Sequence, residues 1–355
     1  MVELAQVVPS KRTKDVISKA ARETADAAKD RRARIAAGAV AATATAVAAA
    51  AKRRRGADRA HALKHDEGVA DGIRRIAAGR ANSAVDELRG HGASDRPAAV
   101  HEARKDLKKT RSVIRLVREP LGEETYRREN QRFRDAGRQL SGIRDAHVRV
   151  TTLEALRERF PGELDDHDLD VVAQEVEGTM APSNAENGGD PLERAAAEVE
   201  AGGDAISDWP LEGEDWKLID AGLRRSYRRG RNRFKDVVAN PSDENVHEWR
   251  KRVKDLWYDL RILAPAEPKR IGGMAKEVHE LSDLLGDHHD LAVLRDHASN
   301  NGASARALSL FALRRAIRRR QDELLARALK RGEKIYAKKP KAFTKRLRSH
   351  WRDWR

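Results

Sequence analysis

The chain has 355 residues, with 72 Lys and Arg against 57 Asp and Glu, a formal net charge of +15; the pI is near 10.1 and the mean hydropathy −0.76. It has no cysteine, which excludes a disulfide framework, a Cys-ligated zinc or iron–sulfur centre and a thiol nucleophile. So basic a chain calls for a polyanionic partner or a membrane surface, and its length allows about two domains' worth of core or one large duplicated one.

Residues 1–66 read as a basic, Ala-rich arm, partly disordered or helical. Residues 1–55 carry 13 Lys and Arg against 5 acids. Met1–Lys19 lacks the apolar core of a secretory leader. Ile35–Ala51 is uncharged for 17 residues between basic flanks. It is mostly Ala, the best helix former, and poorer in Leu, Ile and Val than a span of about 20 residues needs. A soluble helix is expected there, with a membrane span as the weaker alternative.

A first helical bundle repeat is expected over 67–160, from helices at Gly72–Arg89, Ala98–Glu119 and Glu123–Phe160. Residues 161–215 read as an acidic linker. Residues 160–215 hold 17 acids and one basic residue, Arg194, with Pro161, Pro182, Pro191, Pro210, Gly188–Gly189 and Gly202–Gly203. One short helix at Leu192–Glu200 is expected within it. The second repeat, 216–338, carries helices at Trp216–Asn240, Asp243–Leu263, Lys269–His297 and Ser304–Ala337, with Ser242 and Asp243 as N-cap residues. Residues 339–355 read as a basic tail. No stretch alternates like a strand, so the fold class is all-α.

Two segments match at a spacing of 146 residues: Val100-His101-Glu102-Ala103-Arg104-Lys105-Asp106-Leu107-Lys108 and Val246-His247-Glu248-Trp249-Arg250-Lys251-Arg252-Val253-Lys254, with Arg115 over Arg261. In the next helix Leu140, Asp145 and Val148 lie over Leu285, Asp290 and Val293 at a spacing of 145. The shared positions are mainly charged, which helix packing alone does not require. On a helix, His247, Arg250, Lys251, Lys254, Tyr258 and Arg261 form one stripe, about 21 Å long at 1.5 Å per residue. Their counterparts are His101, Arg104, Lys105, Lys108, Ser112 and Arg115. Like charges at this spacing repel one another. A row of them suits an extended anion with closely spaced charges, such as linked phosphates. A duplicated pair of related bundles follows.

On these residues the chain resembles the CHAD family, the conserved-histidine α-helical domain. The second half carries the signature from Val246 to Leu256, with Tyr258, Leu260-Arg261 and Leu285-Gly286-Asp287-His288-His289-Asp290-Leu291, preceded by Gly222-Leu223-Arg224-Arg225-Ser226-Tyr227-Arg228-Arg229-Gly230-Arg231. The first half matches through His101, Arg104, Lys105, Lys108, Arg111 and Ile143-Arg144-Asp145. It departs at Ala103 and Ser112, which stand opposite Trp249 and Tyr258, and at Ser141-Gly142. The resemblance implies two four-helix bundles with pseudo-two-fold symmetry and inorganic polyphosphate held in a basic groove or pore between them. It also adds Arg111, Arg228, Arg231 and His289 to the contact set. The ExExK strand motif of the triphosphate tunnel domains that often accompany this family is absent: Glu212-Gly213-Glu214-Asp215-Trp216-Lys217 has one residue too many. A stand-alone binder without catalysis or cofactor is therefore expected.

Arg104, Lys105, Lys108, Arg115, Arg250, Lys251, Lys254 and Arg261 are the expected phosphate contacts, Arg as a planar fork and Lys as a compact charge. Two roles are open to His101 and His247: donating to phosphate, or positioning a neighbouring helix. Tyr227 and Tyr258 either donate or pack. Asp145 and Asp290 are read as orienting groups. His288-His289-Asp290, beside Asp287, is not read as a metal site, because adjacent side chains on a helix diverge by about 100°.

The reading is a cytoplasmic polyphosphate binder associated with polyphosphate granules. The alternative is a general polyanion or nucleic-acid binder acting through the basic tails. An enzyme ranks last, because the stripes carry few acids to cage a metal.

Overall fold

The computed structural model describes residues 61–90, 96–140, 145–164, 190–213, 215–301 and 307–355. The arm through residue 60, Ile35–Ala51 included, lies outside the described residues, as do 165–189 and Ile143-Arg144. Every regular element among those described is helical. In chain order the α-helices are α1 Val69–Arg89, α2 Arg96–Leu116, the one-turn α3 Arg118–Leu121, α4 Glu123–Gln139, α5 Asp145–Arg159, α6 Pro191–Asp204, α7 Lys217–Ala239, α8 Asp243–Leu263, α9 Gly273–Asn301, α10 Ala307–Ile335 and α11 Pro340–Trp354.

α1, α2, α4 and α6 pack as one set of four: α1 lies on α2 and α6, and α4 lies on the same two. In the second half α8 packs on α7 and α9, α9 on α10, and α11 on α7. α2 and α3 touch α7 and α8 and join the halves, and one apolar core runs through both.

Three segments differ from the sequence expectation. The helix expected over Glu123–Phe160 is two helices. α4 stops at Gln139 with Leu140 as C-cap, just before Ser141-Gly142, a poor helix-forming pair. α5 then packs on α9 of the second half, not on its own. Leu153, Leu156 and Phe160 are buried, Arg159 pairs with Glu323 at 3.1 Å, and Arg319 pairs with Glu163 at 2.9 Å.

The acidic stretch is also more than a connection. Asp190 accepts from the Leu192 N–H at 3.0 Å, and Pro191 opens α6, an N-terminus that fits the fixed φ of proline. Leu192, Ala195, Ala196 and Val199 are buried, and Ile206, Trp209 and Leu211 follow them into the core. Burying side chains such as Leu192, Val199, Ile206 and Leu211 stabilises by about 1.5–3 kcal/mol each, which overrides the polar composition of the segment. The third segment is the basic tail, which is the helix α11.

Gly222 sets the distance between the halves. A Cβ there would lie 1.8 Å from the Leu116 carbonyl oxygen, so only hydrogen lets α7 reach the end of α2. At the start of α8, Ser242 Oγ accepts from the Asn245 N–H at 3.3 Å, with Asp243 and Glu244 in the first turn, where carboxylates favour the helix dipole.

Candidate anion-binding groove

α2 turns Val100, Ala103, Leu107 and Ile114 into the core, and α8 turns in Val246, Trp249, Val253, Leu256 and Leu260. Most of the charged positions between them are half-buried at the margin; Asp106, Lys109 and Asp259 are buried, and Lys251 is exposed. Where the two helices meet, a cavity of about 270 Å³ opens. α2 lines it with Lys108, Arg111 and Arg115. α8 lines it with His247, Arg250, Lys251, Arg252, Lys254, Asp255 and Tyr258. Seven Lys and Arg thus face one carboxylate, a surplus that fits a polyanion.

That carboxylate is engaged. Asp255 takes Arg115 at 2.6 Å across the two halves and Arg252 at 3.0 Å along its own helix. One turn on, Asp259 is fully buried and accepts from Ser112 Oγ at 3.3 Å. Burial, and then the nearby Asp255, push its pKa up to about 7. The same pairing recurs at equivalent positions of the repeats: Lys105 binds Glu102 at 2.8 Å, and Lys251 binds Glu248.

The groove continues in both directions. Lys108 and Arg111 also line a cavity of about 290 Å³ between α2 and α4, together with Arg104, Arg134 and Arg138. There Arg104 donates to the Leu140 carbonyl at 2.8 Å and Arg111 to Asn130 at 3.2 Å. On the other side Arg252 joins Arg229 and Arg233 around a cavity of about 350 Å³ between α7 and α8. A narrow gap lined by Arg115, Arg225 and Arg229 lies between. The crowding of cations registers in their acidity. Burial, and then Arg115, bring Arg111 down to about 10; burial, and then Arg118, bring Arg225 down to about 10.

The rings of His247 and His289 stand 4.3 Å apart. Burial, then Arg250 and His247, lower His289 to about 4. Burial, then Lys251 and Arg250, lower His247. His288 turns instead to Asp243, Nδ1 to Oδ1 3.9 Å, while its carbonyl accepts from Gln321 at 3.2 Å. The adjacent histidines thus serve different partners. Among the described residues no group of three or more His, Asp and Glu could hold a metal ion. In the first half His101 is partly exposed, 3.8 Å from Glu102.

Several sequence candidates sit elsewhere. The Tyr227 hydroxyl donates to the Ile335 and Lys338 carbonyls at 2.9 and 3.1 Å, and its ring stacks on Phe343 at 3.9 Å; burial pushes its pKa up to about 12. Arg231 donates to the Tyr336 carbonyl at 3.1 Å. Both fasten the α10–α11 corner, away from the groove. The Arg261 guanidinium lies 5.2 Å from the Trp257 ring centroid and lines none of the cavities described above, and the exposed Arg228 lines none of them either. Asp290 is half-buried beside Asp287, whose pKa rises through burial and then Asp290. Asp145 opens α5, with its side chain outside the described set.

Sequence reasoning missed Arg225, Arg229 and Arg252, and Arg134 and Arg138. A signal existed for the first two: Gly222, Arg225, Ser226, Arg229 and Arg233 step by three, one, three and four along α7, one face of a helix.

A family model described as the CHAD domain matches residues 79–299. No curated protein matches the chain. Among solved structures, the crystal structure of the CHAD domain from the plant Ricinus communis is similar over 78% of this chain and 94% of that one, at 16% identity and a TM-score of 0.48. The family match covers well over half the chain, and the protein belongs to the CHAD family.

Proposed function

We propose that the chain binds inorganic polyphosphate in the groove between α2 and α8, without catalysis. One observation carries this reading: the charged stripe of each repeat contributes to a single cavity, Lys108, Arg111 and Arg115 from α2 and His247, Arg250, Lys251 and Lys254 from α8. CHAD domains are associated with polyphosphate binding in general, and the match extends over both stripes. A thin, flexible chain of phosphates can thread a groove that presents cations from two walls. The groove offers donors and charge, and its central carboxylate is tied to two arginines, so it is built to hold rather than to turn over. His101, Arg104 and Lys105 extend the set along α2. Attachment to polyphosphate granules in the cytoplasm is the cellular counterpart of this reading.

The test is affinity for long-chain polyphosphate against duplex DNA at matched phosphate concentration, over a salt series. Polyphosphate should win by at least about tenfold at physiological salt, where screening has removed most unshaped attraction. Joint reversal of Arg250, Lys251 and Lys254 to Glu should abolish that preference with helix content unchanged. Retained affinity would place the site elsewhere.

A further inference from the structure

α11 lies beyond the family match, which ends at residue 299, and the groove does not use it. Its inner side is apolar: Phe343, Leu347 and Trp351 are buried against the second half. Its outer side is a row of exposed cations, Lys341, Lys345, Arg348 and Arg352, stepping by four, three and four residues, which is one helix face. From Lys334 to Arg352 the sequence has eight Lys and Arg and no acid. The first turn adds to this field, since it holds no acid and the N-cap Lys339 makes no side-chain cap.

The helix that carries the row is tied at both ends. Tyr227 grips the carbonyls that lead into α11. Arg355 ties its far end to the Glu67 carbonyl at 2.7 Å and to Asp215 at 2.6 Å. It also faces away from the groove. On α7 the groove takes Arg225 and Arg229, whereas α11 stacks on Tyr227. Two residues on a helix are about 200° apart.

We propose that the outer face of α11 is a second polyanion surface that binds duplex nucleic acid through its phosphate backbone, independently of the groove. The shape selects the partner. The groove closes on a ligand from two walls, but the α11 row is convex and one-sided, so it suits a broad charged surface. Its length of about 16 Å matches about five base pairs of duplex. A membrane is disfavoured because the apolar side chains point inward, leaving none to enter a bilayer. Single strands are disfavoured because Phe343 and Trp351 are buried and Trp354 packs on His65 and Arg355, so bases find no open ring to stack on. Binding should be independent of sequence.

The experiment uses the full chain and three variants: the row reversed (Lys341→Glu, Lys345→Glu, Arg348→Glu, Arg352→Glu), a control of equal charge on exposed α10 positions (Arg315→Glu, Arg318→Glu, Arg327→Glu, Lys330→Glu), and the groove reversal Arg250→Glu, Lys251→Glu, Lys254→Glu. Row reversal should weaken binding to a mixed-sequence duplex by at least about tenfold and flatten its log–log salt slope by about 3.5. The control and the groove reversal should each change it by less than about threefold. Should row reversal disturb folding, the corresponding Gln variants carry the same test. A row variant no weaker than the control overturns the proposal, and so does a groove variant that loses duplex binding equally. Anionic phospholipid vesicles that bind wild type and not the row variant, with duplex binding unchanged, would assign the face to membranes instead.

Discussion

His247 and His289 have pKa values driven down by burial first, then by Lys251 and Arg250 at His247 and by Arg250 at His289. A bound polyanion reverses the sign of that field, so binding takes up protons and affinity rises as pH falls. Calorimetry of polyphosphate binding near pH 6, in two buffers of different ionisation enthalpy, should show net proton uptake, and His289→Asn should diminish it. Without ligand the same depression works against the fold: the unfolded chain takes up protons from about pH 6.5 downward while these imidazoles stay neutral, so stability falls as pH drops. Asp259 acts in the opposite direction. Its folded pKa of about 7 lies above the ordinary carboxylate value, so the unfolded chain loses its proton first and stability falls as pH rises from about 4 to about 7. Denaturant titrations of Asp259→Asn should show its stability relative to wild type increasing across that window and constant above it.

Each helix is placed by a few contacts, and some of these were readable beforehand. Gly222→Ala should cost about 1–3 kcal/mol, as overpacking does, because the Leu116 carbonyl occupies the space a methyl needs; a shift in denaturation midpoint would register it. Tyr227→Phe should lose about 1–2 kcal/mol with the two carbonyl bonds of the α10–α11 corner, yet leave polyphosphate affinity unchanged. The helices themselves, the Ser242 cap and the repeated stripe were legible because periodicity and capping are local. The break after Gln139 and the burial of α6 were not. Both depend on apolar faces meeting partners far along the chain, and in α6 the charged residues lie on the outer side while Leu192, Ala195, Ala196 and Val199 carry the packing. The groove was half legible. His–Arg–Lys spacing marked the α2 and α8 walls, but Arg231 and Tyr227, adjacent in motif to Arg225 and Arg229, face the other side of α7.

At the scale of the whole molecule the groove depends on both halves, since the Arg115–Asp255 pair spans them. Polyphosphate should therefore raise the melting temperature of a single transition, by linkage to the folded state, rather than stabilise one of two. The exchange of helices has a further consequence. α5 precedes residues 165–189 yet packs on α9, whereas α6 follows them yet packs on α1 and α4. Each piece of a chain cut between Leu164 and Asp190 would hold part of the other's interior, like two clasped hands. Co-expression of the two pieces as separate chains should yield two bands on a denaturing gel and one particle in solution. Such a protein tolerates a severed backbone without releasing either arm of its binding site.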